Sequence, residues 1–400
     1  MYKKAGANTA KTNGNIVFVG QWGLDEDGVF KPDPWVLFHD GVPVKKGFKT
    51  VPKGYKTIMA PEGVLLPGLV NAHTHLGLSY LSPLGQGGGV FDFVRSMAAI
   101  KKPDVKQCLH KALAAMQFAN RWGTFYYCDI SNDAQFSRNL ANLNEFSGLR
   151  FLEILGYCPP FDEKRLEIAV GALKSDRDLA PTVHSVYGSS PKIWKYCAET
   201  AQNKWVSVHL LEDISENDLG RGQGEANRFL SEIGQGCTHE RGENSELLPY
   251  LEETGIFKRS GKGGTLLVHL NEATGLDIDF LERVNDKGAV VICHRSSSFL
   301  GYVRKNWAAL EKTKLPVLLG TDSKGTSPDV SILHEIRYLL KEDVWSPDFI
   351  WKAATSKAYR VFDIPLEEIP FYYFSGASPD INSLLKQEPV RLPAVEEFTR

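Results

Sequence analysis

The chain has 400 residues, of which 42% are hydrophobic and 24% are charged, and its formal net charge at pH 7 is -2. This composition is typical of a globular protein with a large core, and the near-neutral charge provides no general field that would attract nucleic acid or an anionic membrane surface. We therefore expect a small-molecule substrate and no nucleic-acid partner.

The cysteines are spread along the chain without a C-x-x-C pair. They are Cys108, Cys128, Cys158, Cys197, Cys237 and Cys293. This spacing argues against a zinc knuckle or a disulfide framework and favours a reducing environment. No apolar run approaches the roughly 20 residues of a membrane span, and the N-terminus lacks the apolar region of a secretory signal. We expect a cytoplasmic protein without a membrane partner, and the sequence leaves room for a homodimer.

The chain begins with a polar stretch, residues 1–14, that resembles sequence carried over from a cloning linker, so we expect native sequence to start near Asn15. From residue 15 to residue 62, short β-rich pieces such as "NIVFVGQ" and "PWVLFHDG" alternate with Gly, Asp and Pro turn signals. This pattern predicts a small β-sandwich segment.

Residues 63–362 show a regular alternation of apolar, β-branched runs and amphipathic helical patterns. The runs are "GLVNAHTHL", "TFYYCDIS", "LRFLEILGY", "PTVHSVY", "WVSVHLLE", "TLLVHLNE", "AVVICHRS" and "PVLLGTDS". Eight βα units predict a (β/α)8 TIM barrel, an α/β fold that needs about 250 residues before insertions. After residue 362 the pattern decays, and we expect an irregular tail over residues 363–400 that could be a remnant of the sandwich.

Two connections are longer than a minimal βα loop. They follow the first and the fifth predicted strands and contain several glycines. Long βα loops lie over the catalytic face of a barrel, so these segments are candidate substrate loops or lids.

The polar residues able to do chemistry cluster at the carboxyl ends of the predicted strands. They are His73, His75, His184, His209, Glu212, His269 and Asp322. In a barrel these ends meet at one face, where active sites of this fold occur. An H-x-H pair on its own arises easily by chance, whereas chance does not readily place polar residues at the ends of several predicted strands.

His73 and His75 are two residues apart on a strand, so both side chains face the barrel mouth and can bind one cation. His209 and Asp322 would complete a set of three nitrogen ligands and one oxygen ligand, which suits one divalent metal, Zn²⁺ or alternatively Fe²⁺. A metal held there would lower the pKa of a bound water. Glu212 lies close enough to pass a proton without binding the metal, and Asp322 could assist by accepting one.

The order H-T-H, H-L-L-E, V-H-L and G-T-D-S, together with "LLPGLVNAHTHL" and "LLGTDSKGTSPDVSILHEIR", resembles the amidohydrolase superfamily. Within it, the sequence is most similar to the mononuclear-metal deaminase branch, which includes aminodeoxyfutalosine deaminases of menaquinone biosynthesis and S-adenosylhomocysteine or methylthioadenosine deaminases. The resemblance implies metal ligands at His73, His75, His209 and Asp322. It also implies a proton shuttle at Glu212 and a role for His269 beside the tetrahedral centre.

The substrate-binding residues are expected to be His184, Asp92 and Arg295. The resemblance places His184 at a substrate position and Asp92 near an acid that binds ribose hydroxyls. Arg295 has two interpretations, a clamp for a substrate carboxylate or an ion pair with a barrel acid. The sequence departs from the family pattern at Gly77, where relatives often have glutamate, and at His294, where relatives often have proline.

The resulting hypothesis is a deaminase that converts a 6-aminopurine nucleoside derivative to the 6-oxo product and ammonia. The alternatives are hydrolysis of another cyclic C–N substrate of the guanine, cytosine, triazine or hydantoin type, and a non-catalytic scaffold on the same barrel. A hydantoinase-like binuclear site requires a lysine on the fourth strand, which "PTVHSVY" lacks.

Overall fold

The computed structural model describes residues 14–201, 203–237, 246–258 and 261–393. Almost all of the expected linker-derived segment, residues 1–14, therefore lies outside the described residues.

The chain first forms short strands that belong to two small sheets. These strands are β1 (Asn15–Val19), β2 (Trp22–Leu24), β3 (Phe30–Pro32), β4 (Pro34–His39), β5 (Val42–Phe48), β6 (Lys56–Met59) and β7 (Gly63–Pro67). One sheet has the order β5-β4-β1-β6. β1 is apolar at consecutive positions because both of its faces are covered, Ile16 and Phe18 by one core cluster and Val17 and Val19 by another.

Eight parallel strands follow and form the predicted barrel. They are β8 (Leu69–Thr74), β9 (Thr124–Ser131), β10 (Gly148–Ile154), β11 (Leu179–Val183), β12 (Val206–Leu210), β13 (Thr265–His269), β14 (Ala289–Ile292) and β15 (Val317–Leu319). They pair as two four-stranded sheets, β8 to β11 and β12 to β15. Isolated parallel bridges, Ser185 with His209 and Thr74 with Asp322, join the two sheets and close the barrel.

The barrel interior changes character along the strands. Its lower part is filled by one apolar side chain from each of several strands, which belong to one buried cluster: Ala72, Cys128, Phe151, Val268, Val291 and Leu318. Toward the carboxyl ends the buried side chains become polar: His73, Glu153, Thr182, Ser207, His209, His269 and Asp322. The apolar part stabilises the closed barrel, and the polar part lies where this fold places its chemistry.

The helices occupy the connections between strands. They are α1 (Gly89–Ala98), α2 (Val105–Arg121), α3 (Ala134–Leu140), α4 (Phe161–Ser175), α5 (Pro191–Thr200), α6 (Gly224–Glu232), α7 (Leu247–Glu253), α8 (Gly275–Val284), α9 (His294–Phe299), α10 (Trp307–Lys312), α11 (Ile332–Glu342), α12 (Pro347–Ala354) and α13 (Ser356–Val361). Several begin at sequence-coded caps. Asp104 accepts a hydrogen bond from the Gln107 amide, and Thr274 forms a capping box with Asp277.

The segment after residue 362 is more regular than the sequence predicts. It contains β16 (Phe371–Ser375), α14 (Ile381–Leu384) and β17 (Val390–Leu392). β16 pairs antiparallel with β7, and the side chain of Tyr373 is fully buried. The aromatic run "FYYFS" therefore completes the second small sheet, of order β17-β16-β7-β2-β3, because β7 offers it an unpaired edge.

The two long loops are joined to each other above the barrel. Arg95, in α1, donates to Glu225 at 2.6 Å and to Glu232 at 2.9 Å, both in α6. The Tyr302 hydroxyl donates to Asp213 at 2.9 Å and accepts from the Val90 amide at 2.9 Å. These contacts hold the segment after β8 against the segment after β12.

A disulfide joins Cys158 to Cys237, whose Cα atoms are 6.0 Å apart. The expectation that the cysteines form no disulfide is wrong for this pair. The two residues are separated by 79 positions in the sequence, so their approach depends on the fold. The bond ties the loop after β10 to the end of the long loop after β12. No described helix is long and apolar enough to cross a membrane.

Peptide mapping without reductant should recover Cys158 and Cys237 in one disulfide-linked pair. Replacing both with serine should lower the free energy of unfolding by about 2–4 kcal/mol, since a cross-link restricts the unfolded chain. The control is Cys108→Ser, which removes a buried thiol outside this disulfide and should leave the linked peptide unchanged. Recovery of both residues as free thiols from the untreated protein would contradict the assignment.

Candidate metal centre and active site

Four predicted ligands meet at the carboxyl ends of β8, β12 and β15. The Nε2 atom of His209 lies 3.1 Å from Nε2 of His73 and 3.4 Å from Nε2 of His75. An Asp322 carboxylate oxygen, Oδ1, lies 3.6 Å from Nε2 of His75 and 3.9 Å from Nε2 of His73. The structure therefore brings together residues that are up to 249 positions apart in the sequence.

This donor set fits a cation. Nδ1 of His209 lies 3.1 Å from the His184 carbonyl oxygen, so it carries the proton and donates, which leaves a lone pair on Nε2. Burial holds the pKa of His73 and His209 well below the ordinary value, and it lowers the pKa of His75 too. Unprotonated imidazole nitrogens therefore face one another next to a carboxylate, an arrangement that a divalent ion bound by three nitrogens and one oxygen would satisfy.

Two hydroxyl groups hold one oxygen of the Asp322 carboxylate in place. Its Oδ2 atom accepts hydrogen bonds from Ser296 at 2.6 Å and from Thr326 at 2.9 Å. Burial alone would raise the pKa of Asp322, but the neighbouring histidines and the Ser296 hydroxyl hold that pKa below its ordinary value. Asp322 is therefore ionised and its other oxygen, Oδ1, faces the histidines.

Glu212 lies just beyond β12 and is buried beside this group. Its Oε1 atom is 3.6 Å from Nε2 of His269, and the Tyr187 hydroxyl donates to its Oε2 atom at 3.4 Å. Burial and the negative charge of Asp322 raise the pKa of Glu212 well above the ordinary value. A buried carboxyl group whose protonated form is stabilised in this way is suited to general acid–base chemistry.

His269 ends β13 in an uncommon backbone conformation. Its φ is 75°, the next residue, Leu270, has a φ of 47°, and Asp322 has a φ of 59°. Non-glycine residues rarely adopt positive φ, and such strain is concentrated at functional sites. The turn directs His269 toward Glu212, and burial lowers its pKa to about 4, so its imidazole is neutral at pH 7.

His184 lies at the edge of the same group. Its ring centroid is 4.7 Å from that of His209 and 5.5 Å from that of Tyr187. Its Nδ1 atom is 2.7 Å from the Ser185 hydroxyl, and burial lowers its pKa to about 3. The structure thus places this predicted substrate residue next to His209, one of the predicted metal ligands.

The other two predicted substrate residues are placed differently. Asp92 is in the first turn of α1, its side chain is 56% exposed, and it accepts a hydrogen bond from Arg95 at 2.9 Å. The Arg295 side chain is 9% exposed, and it donates to Glu335 at 2.7 Å and to Asp329 at 3.2 Å. This ion pair is one of the two interpretations of Arg295, and it engages the Nε and Nη2 groups of the guanidinium. The substrate-binding role of Arg295 stays a prediction.

Sequence reasoning missed several buried residues that shape the site. Both oxygens of Glu216 accept amide hydrogen bonds, from Leu211 and Glu212, and so fix the backbone of Glu212, the predicted proton shuttle. Glu153, in β10, is 7% exposed, and burial raises its pKa to about 8. The signal for Glu153 is an acidic residue near the carboxyl end of a strand whose other residues, apart from Arg150, are uncharged, "LRFLEIL". Glu216 has no comparable signal because acidic residues are common in loops.

The comparison with known families gives one match over most of the chain. The sequence model described as the amidohydrolase family matches residues 64–369. A 5-methylthioadenosine/S-adenosylhomocysteine deaminase of Desulfovibrio desulfuricans is 24% identical over 68% of this chain and 59% of that protein. The aligned region thus spans less than two thirds of this relative's length.

Solved structures share the fold. The aminofutalosine deaminase of Helicobacter pylori, in complex with methylthio-coformycin, has a TM-score of 0.74 and 19% sequence identity, and the match covers 92% of this chain and 95% of that one. An adenosine deaminase from Xanthomonas campestris with bound zinc has a TM-score of 0.69 and 16% identity, with 93% and 89% of the two chains covered. These similarities confirm the predicted barrel with its sheet-rich N-terminal region.

The ion pair of Arg295 gives a prediction about stability. Arg295→Met should destabilise the fold by about 3–5 kcal/mol, because it leaves the buried carboxylate of Glu335 without its partner. The matched control is Lys192→Met, which removes an exposed ion pair with Glu163 and should cost about 0–1 kcal/mol. Denaturant unfolding measures both. A stable Arg295→Met variant with impaired substrate binding would instead support the substrate role.

Proposed function

The chain belongs to the amidohydrolase family, and on this basis we propose that it is a metal-dependent hydrolase that deaminates a 6-aminopurine nucleoside derivative to the 6-oxo product and ammonia. The observation that carries the proposal is the position of Glu212, a buried carboxyl group with a raised pKa that lies beside His269 and the four predicted ligands. The names of the relatives support the substrate class, since methylthioadenosine, S-adenosylhomocysteine and adenosine share the adenine base.

His73, His75, His209 and Asp322 would hold the metal, with Zn²⁺ as the first candidate and Fe²⁺ as the second. When bound there, the metal would supply an activated water as nucleophile. Ser296 and Thr326 orient the Asp322 carboxylate, and the His184 carbonyl fixes the tautomer of His209.

Glu212 moves the protons in the proposed reaction. Its carboxylate accepts a proton from the attacking water and delivers it to the purine ring nitrogen next to the amine-bearing carbon. The proton that remains on the added oxygen is then taken up by the same carboxylate and passed to the amine, which leaves as ammonia. The water oxygen stays on the ring as the 6-oxo group, so one substrate and one water give one product and one ammonia.

His269 and Tyr187 complete the set around Glu212. The neutral imidazole of His269 can donate a hydrogen bond to negative charge that develops on the attacking oxygen, and the low pKa of His269 keeps it neutral at pH 7. The Tyr187 hydroxyl holds the second oxygen of Glu212. His184 remains our candidate for contact with the base, and Asp92 remains the candidate for the ribose hydroxyls.

A screen for ammonia release tests the proposed function. The purified protein with one equivalent of Zn²⁺ is incubated with adenosine, methylthioadenosine, S-adenosylhomocysteine, aminodeoxyfutalosine and guanine, with hydantoin as a cyclic amide control. We expect release from at least one adenine nucleoside and ring opening of no hydantoin. If none of the purines releases ammonia, the deaminase proposal fails.

Glu212→Gln separates proton transfer from metal binding. The amide cannot carry the proton, so turnover should fall by about 100- to 10,000-fold, while metal analysis should still find about one tight equivalent per chain because Glu212 is not a ligand. Glu163→Gln, at an exposed carboxylate in α4, is the matched control and should keep both properties. Retained turnover in Glu212→Gln would remove Glu212 from the proton-transfer step.

A further inference from the structure

Arg304 is a buried cation that the proposed reaction does not use. It lies in the connection between α9 and α10 and is 5% exposed. Burial lowers its pKa to about 10, so the guanidinium is still charged at pH 7. Its described hydrogen bonds go to neutral acceptors, and its Nε atom has no hydrogen-bond partner among the described residues. Burying a charge without a carboxylate partner is costly, which indicates that this position serves more than packing.

The guanidinium holds the turn that follows β13. Its Nη1 group donates to the Leu270 carbonyl at 2.9 Å, and the Asn306 side chain donates to the same oxygen at 2.9 Å. His269 and Leu270 have φ angles of 75° and 47°, and such conformations persist only where the surroundings over-determine them. Two donors on one carbonyl restrain the turn in this way. Arg304 therefore helps to fix the direction in which His269 points.

The other end of the guanidinium is linked to Glu212. Its Nη2 group donates to Oδ1 of Asn271 at 2.7 Å, and the Ser297 hydroxyl donates to the same oxygen at 2.8 Å. Because two donors occupy Oδ1, the Asn271 amide presents its Nδ2 group on the opposite side. That group donates to the Glu212 carbonyl at 3.2 Å. One chain of hydrogen bonds thus joins Arg304 to the backbone of Glu212.

We propose that Arg304 is a positioning residue for the deamination step, which holds Glu212 and His269 in their relative geometry. Oε1 of Glu212 and Nε2 of His269 are 3.6 Å apart, although the two residues follow or end different strands. The planar guanidinium restrains both because its N–H groups have a fixed separation. The inference rests on the proposed function, since it assigns Glu212 and His269 to the reaction.

Two variants test this role by turnover. Arg304→Lys keeps the charge but replaces the planar guanidinium with a single ammonium group. Asn271→Asp keeps a buried partner for Arg304 but turns the donor to the Glu212 carbonyl into an acceptor. With the substrate that the ammonia screen identifies, both should lower kcat per metal-loaded chain by about 10- to 100-fold, because small displacements of reacting groups are enough to slow a reaction. KM should change less, and the tight metal equivalent should remain, which shows that each variant is folded.

The matched control is Arg150→Lys, at a buried arginine that pairs with Asp176 at 2.7 Å. It should lower the free energy of unfolding and leave kcat per metal-loaded chain unchanged. A role of Arg304 confined to stability would give the same pattern in Arg304→Lys. An unchanged kcat in either Arg304→Lys or Asn271→Asp would therefore overturn the proposal.

Crystal structures of the unmodified protein and of Arg304→Lys give a result that does not depend on turnover. In the variant we expect the distance between Glu212 and His269 to grow by about 1 Å and the positive φ of His269 or Leu270 to be lost. A variant that retains both the turn and the distance would overturn the proposal. If no purine releases ammonia, the deaminase proposal fails, and this comparison still decides whether Arg304 positions the two residues.

Discussion

The convergence of unprotonated imidazoles on a buried carboxylate is the constraint on which the rest of the site depends. His73, His75 and His209 present nitrogen lone pairs to one another within 3.4 Å in the described contacts, and burial prevents protonation from relieving that contact. Only a barrel closed between β8 and β15 holds them there. The backbone amide of Asp322 donates to the His73 carbonyl at 3.1 Å, so the bond that closes the barrel also positions a ligand.

The surrounding structure holds this arrangement in place. Asp322 and His269 both have positive φ, and conformations of this kind persist only where the surroundings over-determine them. The Ser296 and Thr326 hydroxyls donate hydrogen bonds to Oδ2 of Asp322. One residue away, Arg295 anchors the start of α9 to Glu335 in α11. Arg295, which the sequence offered as a candidate for substrate binding, therefore holds α9 in place. This is the helix whose Ser296 hydroxyl orients the Asp322 carboxylate.

The upper side of the site consists of loops whose relative positions depend on contacts distant in sequence. The Arg95 ion pairs join α1 to α6, and the Cys158–Cys237 disulfide joins the loop after β10 to the same long loop that contains α6. Such contacts hold these loops together, and Glu212 is only 4% exposed, a burial that strengthens the electrostatic interactions around it. The disulfide also shows why the cysteine spacing predicted no such bond, since two cysteines 79 positions apart form no recognisable pattern along the chain.

The sequence by itself determined the eight βα units, the four predicted ligands and Glu212, because strand periodicity and short local motifs encode which residues lie at strand ends. It also located β1 and β4 of the small sheets. The tertiary structure alone decided that Arg295 pairs with barrel acids, that "FYYFS" returns to pair with β7 and that Cys158 meets Cys237. Each of these depends on a partner far away in the sequence, and local patterns carry no information about such a partner until the chain has closed on itself.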